Sequence, residues 1–175
     1  YYPEPAKRAA KPAAVKQVKP AKQKPAKSTA MPATLGQIVR VELPGKQQIL
    51  SLAEVQVYAG GKNVALKQKA SASSVVFGGV ASRAVDGMTE GDYTKGSVTH
   101  TATEANPWWE VDLGGVHKIE AIKVFNRSGG DGKRLDNFTV KLLDAERKVV
   151  FAVENLSTAE MIELNQAGEK PAAVA

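Results

Sequence analysis

The chain has 175 residues, 43% of them apolar, which fits one domain with a hydrophobic core of its own. It has no cysteine, which excludes disulfides, thiol nucleophiles and cysteine-ligated zinc or iron–sulfur sites. The net charge of +6 is lodged in residues 1–33, where eight Lys/Arg face one acid; the other sixteen bases and seventeen acids nearly cancel and exclude a basic nucleic-acid groove in the folded part.

In chain order, residues 1–34 come first, and they read as a disordered Lys/Pro/Ala-rich linker. Six of the nine prolines fall in this stretch, and few large apolar groups offset the entropy of ordering it. Pro and like-charge repulsion both extend such a chain, so it is expected to act as a spacer. The same charges would suit docking to nucleic acid or to an anionic envelope polymer, but a spacer needs no partner. No apolar run is long enough to span a membrane, and no signal-peptide pattern opens the chain. A first residue of Tyr1 points to a mature product or an excised piece of a longer protein.

Residues 35–168 change character to short Val/Ile/Thr-rich segments separated by Gly, Asp, Asn and Pro, the pattern of an all-β sandwich. Ile38 to Pro44 places Val39, Val41 and Leu43 on one face, and Ser51 to Tyr58 places Ala53, Val55 and Val57 on one face. Further strands are expected over 63–74, 97–101, 108–113, 117–126, 137–145, 148–155 and 159–165. A single helical turn is expected over 81–87, and the paired glycines at 78–79, 114–115 and 129–130 read as turns. Residues 169–175 read as a flexible tail. Without a sustained 3.6-residue stripe, a nucleotide-binding α/β fold is excluded.

Catalytic signals are missing: only His100 and His117 are available, and neither sits in a hydrolase motif. The informative stretch instead runs from Asn63 to Val140. It contains, in order, NVAL, ASRAVDG, GSVTHT, PWWEVDL and VFNR. Together these motifs resemble the F-type lectin family, whose members are jelly-roll β-sandwiches related to discoidin-like domains and bind terminal fucose without processing it. The resemblance implies a sugar site of His100, Arg127 and Arg134, at the family's spacing, with Tyr93 as an aromatic wall and Trp108 as a second candidate for that role. The family's intervening Asp is replaced by Gly129, although Asp131 follows two residues on. Two planar guanidinium forks and an imidazole suit a rigid ring of hydroxyls, because an epimer would leave donors buried and unpaired at about 1–3 kcal/mol each. Each residue also has a purely structural reading: His100 as a strand hydrogen-bonder, the arginines as partners of Glu110 or Asp131.

The resemblance also implies a calcium site. Asp86 and Glu54 would supply carboxylates, Ser97 a further oxygen, and Arg83, Met88 and Ala53 backbone carbonyls, in line with calcium's preference for six to eight oxygens. The alternative at Asp86-Gly87 is a plain Asx turn. Because VRVELP and LSLAEVQV precede NVAL here but end the simple family order, the sequence looks circularly permuted. It could also carry the tail of a preceding repeat. Val98 and Ala53 stand where some relatives carry bridging cysteines.

The expected function is a non-catalytic module for glycans with terminal fucose or a similar sugar, part of a larger extracellular or cell-envelope protein. The alternative is a structural or protein-docking discoidin-like domain with a degenerate sugar site. A third reading makes the chain the targeting arm of an enzyme whose catalytic domain lies elsewhere.

Overall fold

A computed structural model describes residues 27–166. The chain forms two five-stranded sheets packed face to face, and among the described residues there is no α-helix. The first sheet is ordered β1 (Lys27–Ala30), β10 (Met161–Asn165), β7 (Ala121–Asn126), β3 (Leu52–Ala59) and β4 (Lys62–Asn63). The second is ordered β5 (Lys69–Ala72), β6 (Trp108–Ile119), β2 (Thr34–Glu42), β8 (Phe138–Leu143) and β9 (Val149–Leu156). This is the all-β sandwich that the alternating pattern predicts. Alternation puts Val39 and Val41 of β2, Trp109 and Val111 of β6, and Phe138, Val140 and Leu142 of β8 into the core. From the facing sheet Val55, Val57, Ile122, Val124, Ile162 and Leu164 meet them, all essentially free of solvent.

Four expectations are corrected. The sandwich starts before residue 35: Lys27–Ala30 pairs in parallel with β10, and Met31 is buried in the core. The rest of the predicted linker, 1–26, and the predicted tail at 169–175 lie outside the described residues. The single strand expected over 63–74 is split by a turn at Lys67, whose φ is 58°. Gly114-Gly115 is not a turn. β6 runs through it as a bulge opposite Gly36 and Ile38, held by the Asp112 carboxylate, which accepts from the Gly114 amide at 2.9 Å. Residues 97–101 run extended beside 50–52 without becoming a strand, because the Thr99 and Thr101 hydroxyls, rather than carbonyls, accept from the Leu52 and Leu50 amides at 2.9 Å.

A register shift between Leu52 and Glu54 also turns Ala53 away from Val55 and Val57. Ala53 instead packs with Val98 and Phe125 in a small second cluster, against which Tyr93 and Met161 rest. Val98 and Ala53 are thus apolar neighbours. β2 is the central strand of its sheet and β3 joins β7 to β4, so both are integral to this sandwich. β1 enters the first sheet with Lys27 level with Ile162, near the Phe125 end of β7, while β10 leaves at Asn165, level with Ala121 at the other end.

Candidate functional site

The site lies where β7 ends. The second apolar cluster on the sheet's outer face seats Tyr93, which sits in a short 3₁₀ turn (Tyr93–Lys95). That turn is capped by the Asp92 carboxylate, which accepts from the Thr94 amide at 3.0 Å, and it closes on Gly96 with φ 73°. The Tyr93 hydroxyl donates to the Phe77 carbonyl at 2.8 Å, so the ring is held at both ends.

His100 meets the Tyr93 ring edge-on at 5.6 Å between centroids and the Phe77 ring at 5.4 Å. Its backbone is clasped by the loop before it: the His100 amide donates to the Gly79 carbonyl at 2.9 Å, and the Val76 amide donates to the His100 carbonyl at 3.0 Å. A Cβ at position 79 would lie 2.4 Å from the His100 nitrogen, so only glycine permits this approach. The ring's Nδ1 is 2.8 Å from the Thr101 carbonyl. A carbonyl only accepts, so Nδ1 carries the hydrogen, and in the neutral ring Nε2 is left as an acceptor.

The Arg127 guanidinium lies over the Tyr93 ring, 4.7 Å from its centroid. Its Nη2 pairs with Asp131 Oδ2 at 2.7 Å, and Arg134 Nη2 pairs with Oδ1 of the same carboxylate at 3.0 Å. The acid that the sequence lacks at Gly129 is therefore supplied by Asp131. Gly129 has φ 80° and ψ −166°, a conformation open essentially to glycine alone, and this route brings the carboxylate of residue 131 between the two guanidiniums. The turn that follows (Gly130–Arg134) is tied down by the Asn126 side chain, which donates to the Gly132 carbonyl at 2.8 Å. Each arginine spends one Nη on Asp131 in these ion pairs and retains further donors for a ligand.

His100, Tyr93, Arg127 and Arg134 are thus brought together, with Tyr93 as the hub. Trp108 is not among them: it lies on the other sheet under the Arg40 guanidinium, 4.2 Å from its ring centroid. Trp109 is core, its indole donating to the Ala81 carbonyl at 2.9 Å. Phe77, which the sequence reading missed, stands 80% exposed beside His100 with φ 52°. A large apolar side chain held in the open on a left-handed residue is a feature no core requires.

The second candidate constellation centres on Glu54, which is fully buried. Its Oε1 accepts from the Gly87 amide at 3.1 Å, while Oε2 has no partner. Burial, with a smaller contribution from the neighbouring Asp86 charge, pushes its carboxyl up to about 7 from an ordinary 4.5. Asp86 accepts from the Met88 amide at 2.8 Å, the Asx turn expected of an Asp-Gly pair. Ser97 is buried, but its hydroxyl donates to the Glu90 carbonyl. Ala53 precedes Glu54 and packs on Val98, which follows Ser97, so the two flank one contact. The Arg83 guanidinium donates to the Val98 carbonyl at 3.1 Å. Among the described residues no three acidic or imidazole side chains converge on a point, so a metal here would draw on two carboxylates supplemented by hydroxyl and carbonyl oxygens. The orphaned Oε2 of a buried carboxylate fits an oxygen-seeking cation.

A two-sheet sandwich carrying polar and aromatic loops at one end is the architecture of a jelly-roll, discoidin-like lectin domain. Residues 83–171 match the family model described as a NedA-like, galactose-binding domain of the F5/F8 type C group, and the chain belongs to that family. It is 35% identical over 86 residues to a fucolectin of Anguilla anguilla, covering 46% of this chain and 54% of that one. With fucolectin-4 of Anguilla japonica it shares 40% identity over 79 residues, 42% of this chain and 44% of the relative. The chain spans about half the length of these curated relatives. Among solved structures, the lectin domain of lectinolysin complexed with Lewis B antigen is similar at 39% identity and TM-score 0.58, covering 62% of this chain and 79% of that one. A Streptococcus pneumoniae fucose-binding module is similar at 38% identity and TM-score 0.58, covering 63% and 79%.

Proposed function

We propose that this chain is a carbohydrate-binding module that holds glycans ending in fucose or a similarly configured sugar and does no chemistry on them. The observation that carries this is the convergence of His100 and Arg127 on the Tyr93 ring, with Arg134 joined to Arg127 through Asp131. In this reading the guanidinium donors and His100 Nε2 engage the ring hydroxyls, while Phe77 and Tyr93 offer an apolar wall to the sugar's methyl and carbon face. The fucolectins and the fucose-binding module among its relatives support it. Glycan-array binding tests it: the folded chain is expected to retain fucosylated glycans and not their fucose-free cores. Arg127→Ala should lower affinity about 100-fold, because truncation removes charged donors and leaves the Asp131 charge half-paired. Binding within threefold of the parent would overturn the assignment.

The cofactor is read as calcium at Glu54 and Asp86, with Ser97 and the carbonyls of Ala53, Arg83 and Met88 completing the shell. When bound, the ion would neutralise Glu54 and brace the loop that leads to Tyr93. The module is read as part of a larger extracellular or cell-envelope protein, a reading that its likeness to the fucolectins supports. Its strand order is read as a circular permutation.

A further inference from the structure

We propose that the cleft on the β10 side of Arg127 is a second saccharide subsite, taking a neutral pyranose joined by a glycosidic bond to the sugar held at His100; this rests on the sugar-binding reading above. The cleft has a volume of about 390 Å³, enough for a sugar ring. It runs between the start of β10 and the loop after β7, while His100 belongs to the segment bonded alongside the start of β3. β7 separates those two elements, and Arg127, at its end, lines the cleft on one side and covers Tyr93 on the other. A glycan gripped at Arg127 can therefore continue into this cleft, which the same arginine lines.

The lining is amphipathic. Phe125 and Met161 give an apolar floor, and the rim carries Thr89, Ser128, Lys133 and Glu160. Among the described residues none of those four side chains makes a hydrogen bond or an ion pair, although the polar groups just beneath them, Asn126 and Thr158, are tied to the Gly132 carbonyl. Unspent hydroxyl, ammonium and carboxylate groups above an apolar floor suit a sugar ring, which offers hydroxyls at its edge and carbon on its face. The carboxylate accepts from hydroxyls, the ammonium donates to them, and together they leave no net charge to attract an acidic sugar.

The test compares methyl fucoside with the neutral trisaccharide fucosyllactose by calorimetry on the full chain. In the parent, fucosyllactose is expected to bind about tenfold tighter. Two sets of exposed, fold-neutral changes should abolish that difference while leaving methyl fucoside within twofold: Thr89→Trp, which fills the cleft from its rim, and the pair Lys133→Ala with Glu160→Ala, which removes its polar contacts. If methyl fucoside binds but the trisaccharide gains nothing, or its gain survives both sets, the subsite is overturned while the fucose site stands. If neither ligand binds, the reading beneath it falls and the subsite falls with it.

Discussion

Asp131 is shared by two arginines and remains partly in solvent, whereas Glu54, a short way along the same end of the sandwich, is wholly buried with one oxygen unpartnered. The first carboxylate is compensated by the chain's own charges. It orients two guanidiniums before any ligand arrives, so binding a sugar needs little reordering. The second is uncompensated: burying an unpaired carboxylate is costly and pushes its carboxyl up to about 7, a cost that a proton or a cation would relieve. Preorganisation by internal pairing suits the proposed role with neutral hydroxyls, and an unpaired buried carboxylate suits the proposed metal.

The sharpest way to break this contrast is to remove calcium. A chelator should lower the melting temperature at pH 8 by on the order of 10 °C relative to saturating calcium, and Glu54→Gln should lose that response while melting higher than the chelated parent. Calorimetry showing no calcium response in the parent would remove the metal half of the comparison. The pH profile sharpens it further. Because the Glu54 carboxyl is raised from 4.5 to about 7 in the fold, the native state keeps a proton that the unfolded chain has released across that interval. In chelator, stability from this group is present below about 4.5 and lost as pH rises to about 7, a fall of several degrees in melting temperature that Glu54→Gln abolishes. The calcium response should grow over the same interval. On the compensated side, Asp131→Asn should weaken fucosylated-glycan binding about tenfold by freeing both guanidiniums, with little change in calcium response. The smallest effect is expected from Phe77→Ala, about a threefold loss by titration calorimetry, since the ring adds an apolar edge and no hydrogen bond.

How much of this was legible in the sequence depended on whether the signal was local. β2 and the buried parts of β6 and β8 announced themselves through alternating apolar residues that the core then used. β1 did not, because KSTA has the composition of the basic stretch before it and becomes a strand only by pairing with β10. The threonines of 97–101 mimicked a strand, since their hydroxyls substitute for ladder carbonyls. His100, Arg127 and Arg134 were legible as a spaced set, and the role of Asp131 was open until the backbone at Gly129 showed which way the loop turns. Phe77 left no periodic trace: an aromatic between Val76 and a glycine pair reads as ordinary loop until its exposure is known. The outward rotation of Ala53 was hidden for a similar reason, because a one-residue bulge reverses a strand's facing without altering its composition.

The parallel pairing of β1 with β10 sets how the domain is mounted. The polypeptide enters at Lys27, on the side where Arg127 sits, and β10 departs from Asn165 toward the far pole. Chain joined ahead of Lys27 therefore meets the domain at the pole that carries the proposed sugar site. Chain that follows Asn165 leaves the domain at the opposite pole, clear of that site.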